Sequence, residues 1–127
     1  MSLLARFEVT AYYGQVEISD PNKLDYPQFE TGEERAVAIP DCIAVVTRND
    51  REGPVTVEVW NQRLETDNVN LEPVYDGELT LSEARAVVGN TVGNEFYSIP
   101  LGRGRHRVKA FTSGAGERPE AVHFLVD

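Results

Sequence analysis

Apolar and polar residues alternate over the first part of the chain. The apolar phase begins at residue 7 and holds Phe7, Val9, Ala11 and Tyr13. A period of two is typical of a half-buried β-strand, because successive side chains point to opposite faces of the sheet. Gly14 interrupts the pattern before Val16 and Ile18 resume it. We therefore predict either one long strand with a bulge at Gly14 or two strands joined by a bend there.

Two further strands are predicted on either side of a turn near residue 50. Residues 42–48 are almost continuously apolar, and residues 55–61 alternate Val55, Val57 and Val59 with Thr, Glu and Trp. The connection at residues 49–54 contains Asn, Asp, Gly and Pro, which are common turn residues. We predict that the two strands pair as a β-hairpin.

Residues 20–40 form the longest stretch without a clear period. They contain Pro21, Pro27, Pro40 and Gly32 among scattered acidic residues. A connection of about 20 residues without regular structure is uncommon in a compact domain. We expect either a segment that carries function or a partial strand around residues 34–39, and we favour the partial strand.

The rest of the chain contains short apolar runs separated by turn residues. We predict strands around residues 69–74, 78–81, 96–100, 105–112 and 121–126. Residues 82–85 could begin a short helix, but that helix would have to end at Gly89. We therefore interpret residues 82–85 as a turn between two short strands. These short strands predict an all-β fold, an antiparallel β-sandwich of about eight strands, with a small β-barrel as the alternative. The length fits one domain over residues 1–127.

Composition and charge narrow the function classes. The apolar share of 41% and charged share of 26% are typical of a folded protein. A net charge of -9 argues against general binding to nucleic acid or to an anionic membrane, and favours a basic protein partner. The lone Cys42 cannot form an intrachain disulfide, and the first residues lack the apolar core of a secretory signal, so we expect a cytoplasmic protein.

The negative charge is not spread evenly along the chain. Alternate residues near the carboxyl end are basic: Arg103, Arg105, Arg107 and Lys109. An extended strand would place all four on one face. This basic row either binds a carboxylate, a phosphate or an acidic protein surface, or pairs across the sheet with acids such as Glu58 or Glu120. We favour the structural interpretation, because solvated charged faces outnumber binding sites.

Few residues suggest catalysis or metal binding. A hairpin near Ala115 would allow His106 and His123 to lie on one face, but the chain has no metal-ligand spacing, so we expect no metal and no cofactor. No nucleophile motif of the Gly-x-Ser-x-Gly type is present, and Cys42 is expected to be buried and unreactive. We therefore predict a non-enzymatic protein without catalytic residues.

Three aromatic residues are candidates for a recognition surface. Tyr12, Trp60 and Tyr97 fall in the polar phase of their strands, although the phase of Tyr97 is ambiguous. If they share one sheet, they form an exposed platform, since Tyr and Trp combine contact area with a polar group. If they lie on different sheets, they cover the rim of the core, which is the interpretation we favour.

The order of strands and turns resembles a known family. The opening stretch at residues 9–18, the apolar strand at 43–47, the sequence Ile-Pro-Leu-Gly at 99–102 and the strand at 106–109 resemble bacterial competence protein J. That family consists of small proteins that inhibit a nuclease of DNA uptake. The resemblance covers residues 7–112 in layout, whereas residues 61–76 depart from it. It implies a binding or inhibitory function by analogy of fold.

Three functions are consistent with the sequence. The leading hypothesis is a protein-binding or inhibitor-type module, whose acidic surface or segment 20–40 contacts a basic partner. The second is a ligand-binding protein or enzyme with a pocket around His106 and the strand from Arg103 to Lys109, which requires those side chains to converge in a cavity. The third is a structural protein that self-associates through an exposed sheet edge.

Overall fold

The computed structural model describes residues 3–62, 71–113 and 118–127. These residues form ten strands and one 3-10 turn, at Tyr12–Gly14. The strands are β1 (Leu3–Val9), β2 (Gln15–Ser19), β3 (Ala36–Ile39), β4 (Cys42–Val46), β5 (Val55–Asn61), β6 (Glu72–Leu81), β7 (Arg85–Asn90), β8 (Glu95–Pro100), β9 (Gly104–Ser113) and β10 (Ala121–Val126). In this part of the chain no helix is long and apolar enough to cross a lipid bilayer.

The ten strands form two five-stranded sheets. Sheet I has the order β1-β5-β10-β9-β6, and sheet II has the order β3-β4-β2-β7-β8. Within the described part of the chain, β5 and β10 pair in parallel and the other neighbours pair antiparallel. The sheets do not close into a barrel, so the predicted antiparallel β-sandwich is confirmed over the barrel alternative.

The core lies between the two sheets and follows directly from the alternation in the sequence. Each strand turns one apolar phase inward, for example Val9, Val57 and Phe124 in sheet I and Ile18, Ile43 and Val88 in sheet II. All six side chains are at most 1% exposed. Burial of this kind is the main stabilising contribution to a sandwich, at about 25 cal/mol for each Å² of apolar surface removed from water.

The predicted hairpin between residues 42–48 and 55–61 is wrong. Strand β4 pairs with β2 and β3 in sheet II, whereas β5 pairs with β1 and β10 in sheet I. The connection crosses from one sheet to the other, so the valines of β4 and β5 face each other across the core. Local sequence shows the turn residues but not the sheet to which each strand belongs.

Residues 20–35 cross the outer face of sheet II. Pro27 is buried there, and the Lys23 ammonium acts electrostatically on both Glu17 of β2 and Cys42 of β4. The Tyr26 hydroxyl hydrogen-bonds with the Thr91 hydroxyl over 2.9 Å. The partial strand expected around residues 34–39 is confirmed as β3. We call residues 20–35 the cover segment.

Candidate functional site

A groove of about 1220 Å³ opens among the loops that connect the strands. Its walls come from five places in the sequence: the β1–β2 turn, the residues before β3, the end of β4 with the β4–β5 connection, the β7–β8 turn, and Arg118 before β10. Grooves of this size, built from loops on a rigid sandwich, are typical places for recognition.

Tyr13 stands at the edge of this groove with 83% of its surface exposed. Its φ angle of 63° is in the left-handed region, which non-glycine residues rarely adopt. The turn is fixed by hydrogen bonds from the Gly14 N–H to the Ala11 carbonyl and from the Thr47 N–H to the Gly14 carbonyl. An exposed aromatic residue held in a strained conformation is a feature of functional sites. The sequence analysis placed Tyr13 in the inward phase and missed it.

Tyr12 and the neighbouring turn hold the groove edge in place. The Tyr12 ring lies so close to Gly93 that a Cβ atom on Gly93 would be 2.0 Å from the ring. The buried Asn90 side chain donates to the carbonyls of Tyr12 and Gln15, and its Oδ1 accepts from the Gly93 N–H. The groove edge is therefore preformed by packing and hydrogen bonds.

The groove carries acidic residues at its edge. Glu33, Glu34 and Asp50 line it together with two arginines that have acidic partners: Arg35 binds Glu72 and Arg118 binds Glu52. Hydrogen bonds from its own backbone N–H, the Thr31 hydroxyl and the Glu30 N–H lower the pKa of Glu34 to about 2. The Glu34 carboxylate therefore remains charged throughout the physiological range.

The predicted basic row is a row of exposed cations on the outer face of sheet I. Arg105, Arg107 and Lys109 alternate along β9, and Arg103 lies just before that strand. Asp76 of β6 accepts two hydrogen bonds from Arg107, over 2.9 and 2.8 Å. These bonds lower the pKa of Asp76 and raise the pKa of Arg107.

The acids expected to pair with this row contact other residues. Glu58 contacts Arg6 and His123, and Glu120 contacts Arg48. Strand order explains this difference, because β9 lies between β10 and β6 in sheet I. The neighbouring strand that brings an acid to Arg107 is therefore β6, with Asp76.

The two histidines lie on opposite faces of sheet I, so the shared face that a hairpin near Ala115 would allow is not formed. His123 of β10 pairs with Phe111 of β9, so these two side chains lie on the same face. His106 lies an odd number of residues before Phe111, so its side chain points to the other face. His106 belongs to the inward phase near the start of β9, where its Nε2 hydrogen-bonds with the Gly102 carbonyl oxygen. Arg105 and Arg107 point outward, so they and His106 lie on opposite faces of sheet I and do not converge on one pocket.

The three candidate aromatic residues lie in three different places. Tyr12 packs at the groove, while Trp60 lies on the outer face of sheet I and is 7% exposed. Tyr97 of sheet II contacts the Phe7 ring, with a distance of 4.3 Å between ring centroids. They do not form a common platform.

A buried polar network crosses the outer face of sheet I. Glu58 of β5 lies 2.6 Å from His123 Nδ1 on β10, and His123 Nε2 lies 3.1 Å from the Ser113 hydroxyl on β9. The Trp60 indole donates to the same Glu58 oxygen over 3.0 Å. The sequence analysis missed this network because it depends on the parallel pairing of β5 and β10, which are about 60 residues apart. The local sequence indicated only that Glu58 lies in the polar, outward-facing phase of its strand.

The outer face of sheet II holds a second buried glutamate, Glu17. Its Oε1 accepts hydrogen bonds from the Thr91 hydroxyl and the Thr91 N–H, whereas its Oε2 has no hydrogen-bond partner among the described residues. Burial raises the pKa of Glu17. Burial likewise raises the pKa of the neighbouring Cys42 thiol to about 12, so this thiol stays protonated.

Comparison with known proteins shows which fold this is. No protein-family model matches the chain, and no curated protein sequence matches it. Among solved structures, it is similar to ComJ from Bacillus subtilis, described as an inhibitor of the DNA degrading activity of NucA. The TM-score is 0.77 and the sequence identity is 14%, with 99% of this chain and 97% of ComJ covered. The chain therefore has the fold of ComJ, and the resemblance that the order of its strands suggested is confirmed at the level of structure.

Proposed function

We propose that this protein is an inhibitor-type binding module that uses the groove beside Tyr13 to hold a basic protein partner. The observation that carries the proposal is Tyr13 itself, 83% exposed at a preformed groove edge. Tyrosine is enriched among the residues that dominate binding energy, since its ring buries a large area at a small cost in side-chain entropy.

The electrostatics of the chain favour a basic partner. The net charge of -9 attracts a positively charged surface and speeds its association. Glu33, Glu34 and Asp50 place part of that charge at the groove.

The similarity to ComJ suggests the class of partner. A DNA-degrading enzyme must hold a polyanion, so its DNA-binding surface is basic. An acidic inhibitor that covers this surface would compete with DNA for it. We therefore propose a nuclease as the partner.

The test is a DNA-degradation assay with NucA, to which the purified protein is added in increasing amounts. We expect inhibition that saturates at a fixed stoichiometry and weakens as salt is raised. Glu33→Lys at the groove should weaken inhibition, whereas Glu78→Lys, the same change on an exposed residue of β6, should leave it nearly unchanged. Undiminished DNA degradation at a large excess of the protein would reject the nuclease as partner. Equal effects of the two variants would reject the groove.

A further inference from the structure

The network on the outer face of sheet I has the arrangement of a nucleophilic serine site. The Ser113 hydroxyl lies 3.1 Å from one imidazole nitrogen of His123, and the Glu58 carboxylate lies 2.6 Å from the other. Such sites are identified by geometry and by the role of each group, since they recur on unrelated folds.

The hydrogen bonds also indicate the tautomer of His123. The Trp60 indole can only donate, so the Glu58 oxygen that it contacts is an acceptor. His123 Nδ1 contacts the same oxygen and therefore donates its proton to it. In the neutral ring Nε2 is then left as an acceptor for the Ser113 hydroxyl proton. This is the tautomer that a general base requires.

The three groups are held firmly and still reach a cavity. Ser113, His123 and Glu58 are between 5% and 7% exposed, and they come from three adjacent strands. All three line a cavity of about 450 Å³, to which Arg6 and Arg48 also contribute. The two guanidinium groups contact Glu58, Pro54 and Glu120, and they place positive charge on the cavity wall, which favours a developing oxyanion.

We propose that Ser113 is a nucleophile that accepts acyl groups from small activated esters, with His123 as its base and Glu58 as the residue that positions His123. The Ser113 oxygen attacks the ester carbonyl carbon while its proton passes to His123 Nε2. The bond to the leaving alkoxide then breaks and the alkoxide takes that proton, which leaves an ester on Ser113. Water then attacks the acyl carbon and gives a proton to His123 Nε2. The bond to the Ser113 oxygen breaks, that oxygen takes the proton back from His123, and a carboxylic acid is released. This site shares no lining residue with the groove, so the proposal is independent of the proposed function.

The probe for this site is a fluorophosphonate, which forms a phosphorus–oxygen bond to a nucleophilic serine with loss of fluoride. The full chain is treated with the probe, and the modified residue is identified by peptide mass spectrometry. We expect modification at Ser113 and none at Ser98, an exposed serine of β8 that serves as an internal control. Modification of both serines at the same slow rate, or of neither, would overturn the proposal without any variant.

Variants then assign the roles. Ser113→Ala should abolish modification, whereas Ser98→Ala should not change it. His123→Gln should slow it by roughly 10² to 10⁴-fold, the usual contribution of a general base. Glu58→Asp should retain more of the rate than Glu58→Ala if Glu58 positions His123. Circular dichroism and thermal unfolding show whether each variant is folded, and a folded His123→Gln that reacts at the wild-type rate would exclude His123 as the base.

Discussion

Among the described residues, each outer face of the sandwich buries one glutamate, and the two carboxylates have opposite surroundings. Glu58 on sheet I has a carboxylate that contacts Trp60, His123 and Arg6. Glu17 on sheet II lies beneath the cover segment, and one of its oxygens lacks a hydrogen-bond partner among the described residues. A buried charge is tolerated when neighbouring groups satisfy it and is costly when they do not. We therefore expect Glu58 on sheet I to stabilise the protein and the charged form of Glu17 on sheet II to destabilise it.

The largest effect is expected on sheet I. Glu58→Ala should lower the free energy of unfolding by about 3–5 kcal/mol, because it leaves His123 and the Trp60 indole buried without their acceptor. Urea unfolding followed by Trp60 fluorescence measures this change. A loss below about 1 kcal/mol, the value of an exposed ion pair, would show that the network is not a buried unit.

On sheet II, replacement of the buried glutamate is expected to increase the free energy of unfolding. Burial raises the pKa of Glu17, so the folded state binds its proton more tightly than the unfolded state. The contribution of this group to stability is thus complete below its unfolded pKa and is lost as pH rises through the raised pKa. Glu17→Gln removes this dependence while keeping an acceptor for Thr91. It should match wild type at low pH and exceed it at pH 8 by on the order of 1 kcal/mol.

The stability difference between wild type and Glu17→Gln, measured by urea unfolding over a series of pH values, tests this prediction. A Glu17→Gln variant that is less stable than wild type at every pH would contradict it.

A smaller effect is expected for the cover segment. Tyr26→Phe removes the hydrogen bond to Thr91, which contributes about 0.5–1.5 kcal/mol. Local opening should then expose Cys42 about 2- to 10-fold more often. The rate at which a thiol reagent modifies Cys42 under native conditions measures this opening. Leu24→Ala, at a fully exposed position of the same segment, is the control. Equal rates for Tyr26→Phe and wild type would mean that Tyr26 does not hold the segment over Cys42.

Local sequence predicted the fold class well, because alternation of apolar residues determines which phase of each strand faces the core. Val55, Val57 and Val59 are inward in the structure as the pattern predicts. Pairing could not be predicted in the same way. The turn residues between β4 and β5 are compatible both with a hairpin and with a crossing between the sheets. In the structure β1 and β10 pair with the two edges of β5, so β4 cannot pair with it.

The candidate sites were predicted less completely, since both arise from long-range contacts. The alternation assigned Tyr13 to the core side, but the left-handed turn at Tyr13 and Gly14 rotates its ring outward. The acids at the groove come from segments that are distant in sequence. Glu58, His123 and Ser113 each lie on a different strand, so no local motif could reveal them.

The binding of NucA by Tyr13→Asn tests the central claim most directly. Asparagine accepts the left-handed conformation at residue 13, so this variant removes the ring without adding backbone strain. If the groove binds the partner, Tyr13→Asn should raise the dissociation constant roughly 30-fold, equivalent to about 2 kcal/mol. Leu24→Asn, which alters a fully exposed apolar side chain outside the groove, should change it by less than about twofold, within the scatter of a neutral surface contact. Equal affinities for wild type and Tyr13→Asn would contradict the account.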